Sequence, residues 1–252
     1  MKLISLNTWG GRELEPLLRF FGAHKNDTDI FCLQEVRNCD QKIVDDNHPS
    51  EKWYGPLFEK ISDELKDFTG SFAYFDDDPN RMSLATFVRR TLPVKTIEDF
   101  IVYAPKELKE IGGTVFSPRK LQYLTLDGGL LIANYHGLWD AGPKTDTEDR
   151  VNQSKVIKVF LDKRNGPKIL CGDFNLLPET KSLKILENGM RNLIKDYQIA
   201  STRTPLYRHY ENPDEPNFAD YILASSDIKV IDFKVLPDAV SDHSPLFLDF
   251  AL

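Results

Sequence analysis

Six short segments of the sequence place side chains able to touch a cation or a phosphate at the ends of apolar runs. Asn7 follows Leu3-Ile4-Ser5-Leu6, and Gln34-Glu35 follows Ile30-Phe31-Cys32-Leu33. Asn134-Tyr135-His136-Gly137 closes a third run and Gly172-Asp173-Phe174-Asn175 a fourth. Asp220 opens Asp220-Tyr221-Ile222-Leu223, and Ser241-Asp242-His243-Ser244 precedes the last apolar segment. A rigid sheet commonly delivers side chains from several strands to one edge. Neighbouring strands would therefore gather Asn7, Glu35, Asp173, Asn175, Asp242 and His243 in one cleft. Hard oxygen donors without a Cys/His ligand cluster suit Mg²⁺, with Mn²⁺ as the alternative, rather than zinc. Glu35 is the leading ligand candidate. Taken singly, each segment also has a plain structural reading: a solvated strand end, a turn, a cap, a half-buried histidine. Their occurrence in one ordered series favours a site.

The elements that must position these residues are legible from apolar runs bounded by polar or turn residues. Strands are expected at Lys2–Leu6, Asp29–Gln34, Ser71–Phe75, Ser83–Val88, Lys120–Leu126, Leu130–Tyr135, Lys168–Cys171, Asp220–Ala224, Lys229–Leu236 and Pro245–Phe250. Asp127-Gly128-Gly129 reads as a tight hairpin turn joining an antiparallel pair. Helical spacing puts Leu14, Leu17, Leu18 and Phe21 on one face, likewise Leu57, Ile61 and Leu65, and likewise Val156, Ile157, Phe160 and Leu161. Thr147-Glu148-Asp149-Arg150 opens the last of these helices with acidic residues suited to an N-terminus. Hairpins mixed with helical connections, and strands outnumbering helices about two to one, point to an α/β (α+β) fold. Two mixed β-sheets packed face to face, with helices outside, fit best.

The 252 residues carry 32 Lys+Arg against 39 Asp+Glu, a formal net charge of −7. That length suits a single domain over residues 1–252. A hydrophobic content of 41% excludes a disordered chain, and the acidic balance argues against bulk attraction to long duplex nucleic acid. Cys32, Cys39 and Cys171 form no disulfide framework, and Cys32 and Cys171 sit in apolar runs as small hydrophobes. No apolar window reaches membrane-spanning length. With a strand pattern beginning at residue 2, the expectation is a cytoplasmic, monomeric protein with no membrane contact. Asp76–Asn80 and Tyr210–Asn217 read as exposed loops.

At Ser5-Leu6-Asn7-Thr8-Trp9, Leu33-Gln34-Glu35-Val36, Asn134-Tyr135-His136-Gly137, Gly172-Asp173-Phe174-Asn175, Ala219-Asp220-Tyr221-Ile222 and Ser241-Asp242-His243, the sequence resembles the endonuclease/exonuclease/phosphatase superfamily. Gly-Asp-Phe-Asn followed by Ser-Asp-His is its specific signature. The resemblance implies a deoxyribonuclease-I-like four-layer α/β/β/α sandwich and a divalent-metal-dependent hydrolysis of phosphoester bonds. It implies that Asn7 and Asp242 stand beside Glu35 at the metal. Asp173 would orient and deprotonate the attacking water, and Asn175 would touch a phosphate oxygen. His243 would face the phosphate with Asp220 fixing its tautomer and favouring imidazolium, and His136 would be a second donor.

Arg119, ahead of the strand paired with the His136 strand, is a candidate phosphate contact or a sheet-edge cover. Arg150 and Gln153 divide evenly between structural and functional readings. Arg203 and Tyr207, in a basic-aromatic cluster with Arg208 and His209, suit base stacking or phosphate clamping. Trp9 and Trp139 suit the cleft wall or ordinary packing. The substrate expectation leans towards a phosphodiester such as a nucleic-acid end. A phosphatase acting on a small soluble phosphate ester comes next, and a non-catalytic phosphate-binding module last.

Overall fold

The structure, a computed structural model, describes residues 1–40, 43–45, 52–75, 78, 81–105, 110–111, 114–115, 118–139, 142–212 and 217–252. The chain opens with β1 (Lys2–Asn7), a 3-10 turn (Trp9–Gly11), α1 (Leu14–His24) and β2 (Ile30–Val36). The short antiparallel pair β3 (Ile43–Asp45) and β4 (Lys52–Tyr54) leads to α2 (Leu57–Glu64), β5 (Phe68–Phe72) and β6 (Ser83–Arg89). Next come β7 (Val94–Tyr103), the pair β8 (Glu110–Ile111) and β9 (Thr114–Val115), β10 (Arg119–Leu126) and β11 (Leu131–His136). The remainder is α3 (Glu148–Asp162), β12 (Lys168–Asp173), α4 (Lys181–Glu187), β13 (Arg191–Asn192), α5 (Leu193–Asp196), β14 (Asp220–Ala224), β15 (Lys229–Val235) and β16 (Leu246–Ala251).

Two six-stranded sheets result, ordered β15-β16-β1-β2-β6-β5 and β13-β14-β12-β11-β10-β7. Both are mixed, and in each the parallel pair stands at the centre: β1 with β2, and β11 with β12. A parallel pair needs a long crossover, which α1 and α3 supply. The sheets lie face to face, β1 and β2 against β11 and β12. Period-two alternation assigns the faces. Ile4, Leu6, Phe31 and Leu33 pack outward on Leu17, Phe21, Leu57 and Ile61 of α1 and α2. Leu3, Ile30 and Cys32 join the core shared with the second sheet, whose other side is covered by Ile157 and Leu161 of α3. The expected four-layer sandwich is the observed one.

The Asp127–Gly129 hairpin is present, with Gly128 at φ 91° and Gly129 at φ 86°. All three cysteines are buried and unbridged. Three readings change. The strand expected at Ser71–Phe75 lies at Phe68–Phe72. β7 escaped notice because it is a largely exposed edge strand whose polar residues mask its alternation. Val156 is 44% exposed, so α3 turns Ile157 and Leu161 inward together with Arg150, Gln153 and Ser154. Of the two expected loops, Asp76, Asp77, Pro79 and Asn80, and Pro213–Pro216, lie outside the described residues.

At the carboxyl ends of β11 and β12 the backbones approach too closely for a side chain. A Cβ on Gly137 would stand 2.0 Å from the Phe174 carbonyl oxygen, and one on Gly172 (φ 139°) 1.9 Å from that of Tyr135. Both obstacles are backbone, which cannot swing aside. Gly172→Ala and Gly137→Ala should therefore each cost about 2 kcal/mol or more in urea or thermal denaturation. Gly128→Ala meets nothing within 4 Å and should cost about 1 kcal/mol, the backbone strain alone. Equal losses at all three positions would refute the close-approach argument.

Candidate active site

Inward-facing residues at the carboxyl ends of the central strands converge on the rim between the sheets. Asn7 ends β1, His136 ends β11, and Asp173 ends β12 with His136 and Asp220 as its register partners on either side. Glu35 needs a special device. Alternation along β2 puts Gln34 inward, bonded to Asn134 of the other sheet at 2.7 Å, so Glu35 would point out toward the helices. A register shift between Leu33 and Val36 and a left-handed backbone at Glu35 (φ 56°) turn its carboxylate back into the cleft. Thr8, fully buried, fixes this bulge: its hydroxyl donates to the carbonyls of Gln34 and Glu35 at 3.0 and 3.1 Å.

The Asn7 amide joins the two sheets. Its nitrogen donates to Glu35 Oε1 and to Asp173 Oδ2, both at 3.0 Å, while its oxygen accepts from the Trp9 N–H at 2.9 Å. His136 Nε2 stands 3.8 Å from Glu35 Oε1 and 3.7 Å from Asp173 Oδ2. On the other side His243 Nδ1 contacts both oxygens of Asp220, at 3.0 and 2.8 Å, and its Nε2 faces Asp173 Oδ2 at 3.6 Å. Asp173 Oδ1 accepts from the Asn175 N–H at 2.9 Å, so one oxygen makes the expected turn bond while Oδ2 faces the cleft. Asn175 is itself at φ 51°. Such backbone strain in non-glycine residues concentrates at functional positions. Asp242 pairs with Arg203 at 3.0 Å and keeps Oδ1 3.9 Å from His243 Nε2.

Burial sets the protonation states. Burial raises Glu35, with Asp242 and Asp173 adding to it against the Asn7 hydrogen bond and His243. Asp173 is buried too, yet His243, His136, Lys144 and Arg203 overcome this and hold its carboxyl far below the usual range. Burial and Arg203 oppose a charge on His243, but Asp220, Asp242 and Asp173 prevail and raise its pKa. Burial and Arg119 push His136 down to about 3, so its ring is neutral. Among the described residues, two groups can hold a cation: Glu35 with His136 and Asp173, and Asp173 with Asp220 and His243.

Of the secondary candidates, Arg119 lines a small cavity with His136, Phe75, Met82 and Pro118. Its buried Nε has no hydrogen-bond partner among the described residues. Arg203 stacks on Tyr207 at 4.4 Å. Arg150 is structural: Nε donates to Leu138 O at 3.3 Å, and Nη1 to Pro143 O and Thr145 O at 2.7 and 2.6 Å. Gln153 accepts from the Leu138 N–H at 3.0 Å. Trp9 stacks on Arg12, which in turn lies over Trp53, at 4.5 and 4.2 Å, whereas Trp139 is 40% exposed. Sequence reasoning missed Thr8 and Lys144. Thr8 lay within a quoted motif, but only the bulge gives it a task; Lys144 sits in a polar stretch with no pattern to single it out.

Comparison with known proteins places this geometry in a family. Residues 4–243 match the family model described as "Endonuclease/Exonuclease/phosphatase family". A search of curated proteins returned no match. The mannosyl-6-phosphatase of Bacteroides thetaiotaomicron superposes with a TM-score of 0.73 at 18% identity, covering 100% of both chains. A humanized D. rerio TDP2 gives 0.70 at 15%, covering 100% of this chain and 99% of that one. The human Nocturnin catalytic domain gives 0.66 at 17%, covering 100% and 94%. At these identities the likeness is one of fold. Among the described residues no helix is long and apolar enough to cross a membrane.

The depressed His136 pKa makes a stability prediction. Between pH 6.5 and about 3 the unfolded chain's imidazole takes up a proton that the folded one refuses. Stability is thus present above 6.5 and lost as pH falls through this window, by up to a few kcal/mol. Urea unfolding in chelator should show this loss for the wild type and a flatter profile for His136→Asn. Asp173 does not confuse the upper part, since its contribution fades only below its ordinary value of 3.8. Identical profiles for the two proteins would mean the ring is not buried neutral.

Proposed function

The chain belongs to the endonuclease/exonuclease/phosphatase family, and from that premise we propose that its cleft hydrolyses phosphoester bonds with a divalent cation, Mg²⁺ or alternatively Mn²⁺, beside Glu35. The observation that carries the reading is the line Asp220–His243–Asp173–Asn7–Glu35, each group within 3.6 Å of the next. Residues from 7 to 243 contribute to it, which supports a single catalytic domain.

The residues present fit a cation. A partly buried and a buried carboxylate, Glu35 and Asp173, face one amide and a neutral imidazole. His243 offsets the charge of Asp173, and among the described residues no cation makes an ion pair with Glu35, the nearby His136 being neutral. Glu35 would hold the ion with Asp173 and His136 at hand; Asn7 turns its nitrogen to the carboxylates and serves to orient them. Asp242 stands one step back, on Arg203. When bound, the ion supplies Lewis-acid charge to the phosphoryl oxygens.

The protein's own groups do the rest. Asp173 Oδ2 is the acceptor towards which a water directs a proton. Its depressed pKa makes it more an orienting group than a strong base, so positioning carries much of the rate. His243, held as imidazolium by Asp220, donates from Nε2 to charge developing on the phosphoryl oxygens. Asn175 is placed to add a donor.

Charge balance selects the substrate class. Glu35, Asp173, Asp220 and Asp242 bring four negative charges, and His243, Arg119, Arg203 and Lys144 bring four positive. A divalent ion then leaves an excess of two, which a phosphomonoester dianion neutralises and a diester does not. This favours the phosphatase reading, on a small soluble phosphate ester, over the nucleic-acid end that the sequence reading preferred.

Hydrolysis of sugar phosphates, oligonucleotides and lipid head groups, with Mg²⁺ and with chelator, is the direct test. We expect turnover that chelator abolishes. Asp173→Asn and His243→Asn should each lower kcat by about 10²–10³-fold while remaining folded. Either variant retaining full activity would falsify the mechanism. Phosphate binding without turnover under any divalent ion would instead identify a non-catalytic module.

A further inference from the structure

We infer that Lys144 is a substrate-binding residue that selects the doubly charged phosphomonoester. The inference rests on the phosphoester reading of the cleft. Lys144 lies in the segment between β11 and α3, and that segment is pinned around it. Its carbonyl accepts from the Leu177 N–H at 3.0 Å, and the carbonyls on either side accept from Arg150. The half-buried ammonium makes one hydrogen bond, to Phe218 O at 3.3 Å, and lies 5.9 Å from the Tyr207 ring.

Three carboxylates, Asp173, Asp220 and Asp242, act on this ammonium electrostatically, yet none of the described carboxylates reaches it as an ion pair. An ammonium has three donors, and among the described residues only one is used. A lysine whose task was to neutralise those acids would close on them, as Arg203 does on Asp242. This one is instead held back beside a second cation. Burial, followed by Arg203, pushes its pKa down to about 8 against the pull of Asp173, Asp220 and Asp242. Arg203, although paired with Asp242 through Nη1, is 6% exposed and keeps its buried Nε without a partner among the described residues. Lys144, with two open donors, and Arg203, with an open Nε, lie against the same Tyr207 ring and match the additional charge that a monoester carries over a diester. Removing Lys144 would leave an excess of one positive charge with the metal bound, the complement of a diester.

Titration calorimetry at neutral pH with Mg²⁺ tests this without turnover, using inorganic phosphate and dimethyl phosphate as probes. Lys144→Met should weaken phosphate binding at least tenfold and change dimethyl phosphate by less than threefold. Lys144→Arg should restore phosphate binding to within threefold of wild type. Thermal melts of each variant establish folding, and Lys144→Gln replaces the methionine variant if that one does not fold. Unchanged phosphate affinity in the variant, equal weakening of both probes, or a wild type that binds neither overturns the inference. Lys144-dependent phosphate binding in a protein that turns over no phosphoester overturns the catalytic reading alone. Turnover that persists alongside Lys144-independent binding overturns this one alone.

Discussion

One side-chain amide holds the cleft together. Asn7 gives one N–H to a carboxylate of its own sheet and the other to a carboxylate of the opposite sheet. Glu35 and Asp173 repel, and burial strengthens the repulsion because little water screens it. Their proximity is tolerable only because cations surround them: His243 faces Asp173, and Arg119 acts on both carboxylates. The oppositely shifted pKa values express this division. Glu35 lies on the side where burial wins, and Asp173 on the side where cations win.

Two sheets packed only through aliphatic groups would leave the level of Asn7 against Asp173 poorly defined, since apolar contact has no direction. A buried polar string supplies one. Gln34 donates to Asn134, which in turn donates to the carbonyls of Leu33 and Ala85 on the facing sheet, at 3.1 and 3.2 Å. Thr86 donates to Gln122 at 2.7 Å, and Gln122 reaches the Ser71 carbonyl at 3.2 Å. Satisfied networks of this kind specify a unique packing where apolar surfaces would accept several. Asn134 precedes His136 by two residues, and Gln34 adjoins Glu35, so the string registers the strands that carry the site.

The sandwich and the convergence of Asn7, Asp173 and His243 were legible because apolar strands ending in polar groups are unusual and alternation assigns their faces, whereas the partnership of Asp220 with His243 was an expectation from the family resemblance. The reach of that logic stopped where local geometry overrides it. By alternation Glu35 belongs on the helix side, and only the bulge and its left-handed backbone bring it in. Arg150 and Gln153 looked evenly divided because a buried arginine reads alike in sequence whether it bonds carbonyls or a ligand. β7 was invisible for the opposite reason: with exposed polar residues along an edge, burial left no periodic imprint. The short α4 and α5 are set by caps, Thr180 and Asn192, rather than by an apolar face long enough to be seen.

The hydrogen-bonding state of each charged group separates scaffold from ligand contact more sharply than burial does. Arg150 is nearly inaccessible, but three carbonyl oxygens occupy its donors. Asp220 is equally occupied, by one imidazole. These groups are finished; their bonds are internal and hold loops or orient a ring. Arg119 and Lys144 are positioned as carefully, one opening a central sheet strand and the other on a pinned loop, yet their donors are left largely unspent. A half-buried cation without a close anionic partner among the described residues is costly, and folding alone gives little reason to retain two of them beside one cleft. Open donors at the cleft therefore represent bonding capacity that the fold itself, among the described residues, does not use.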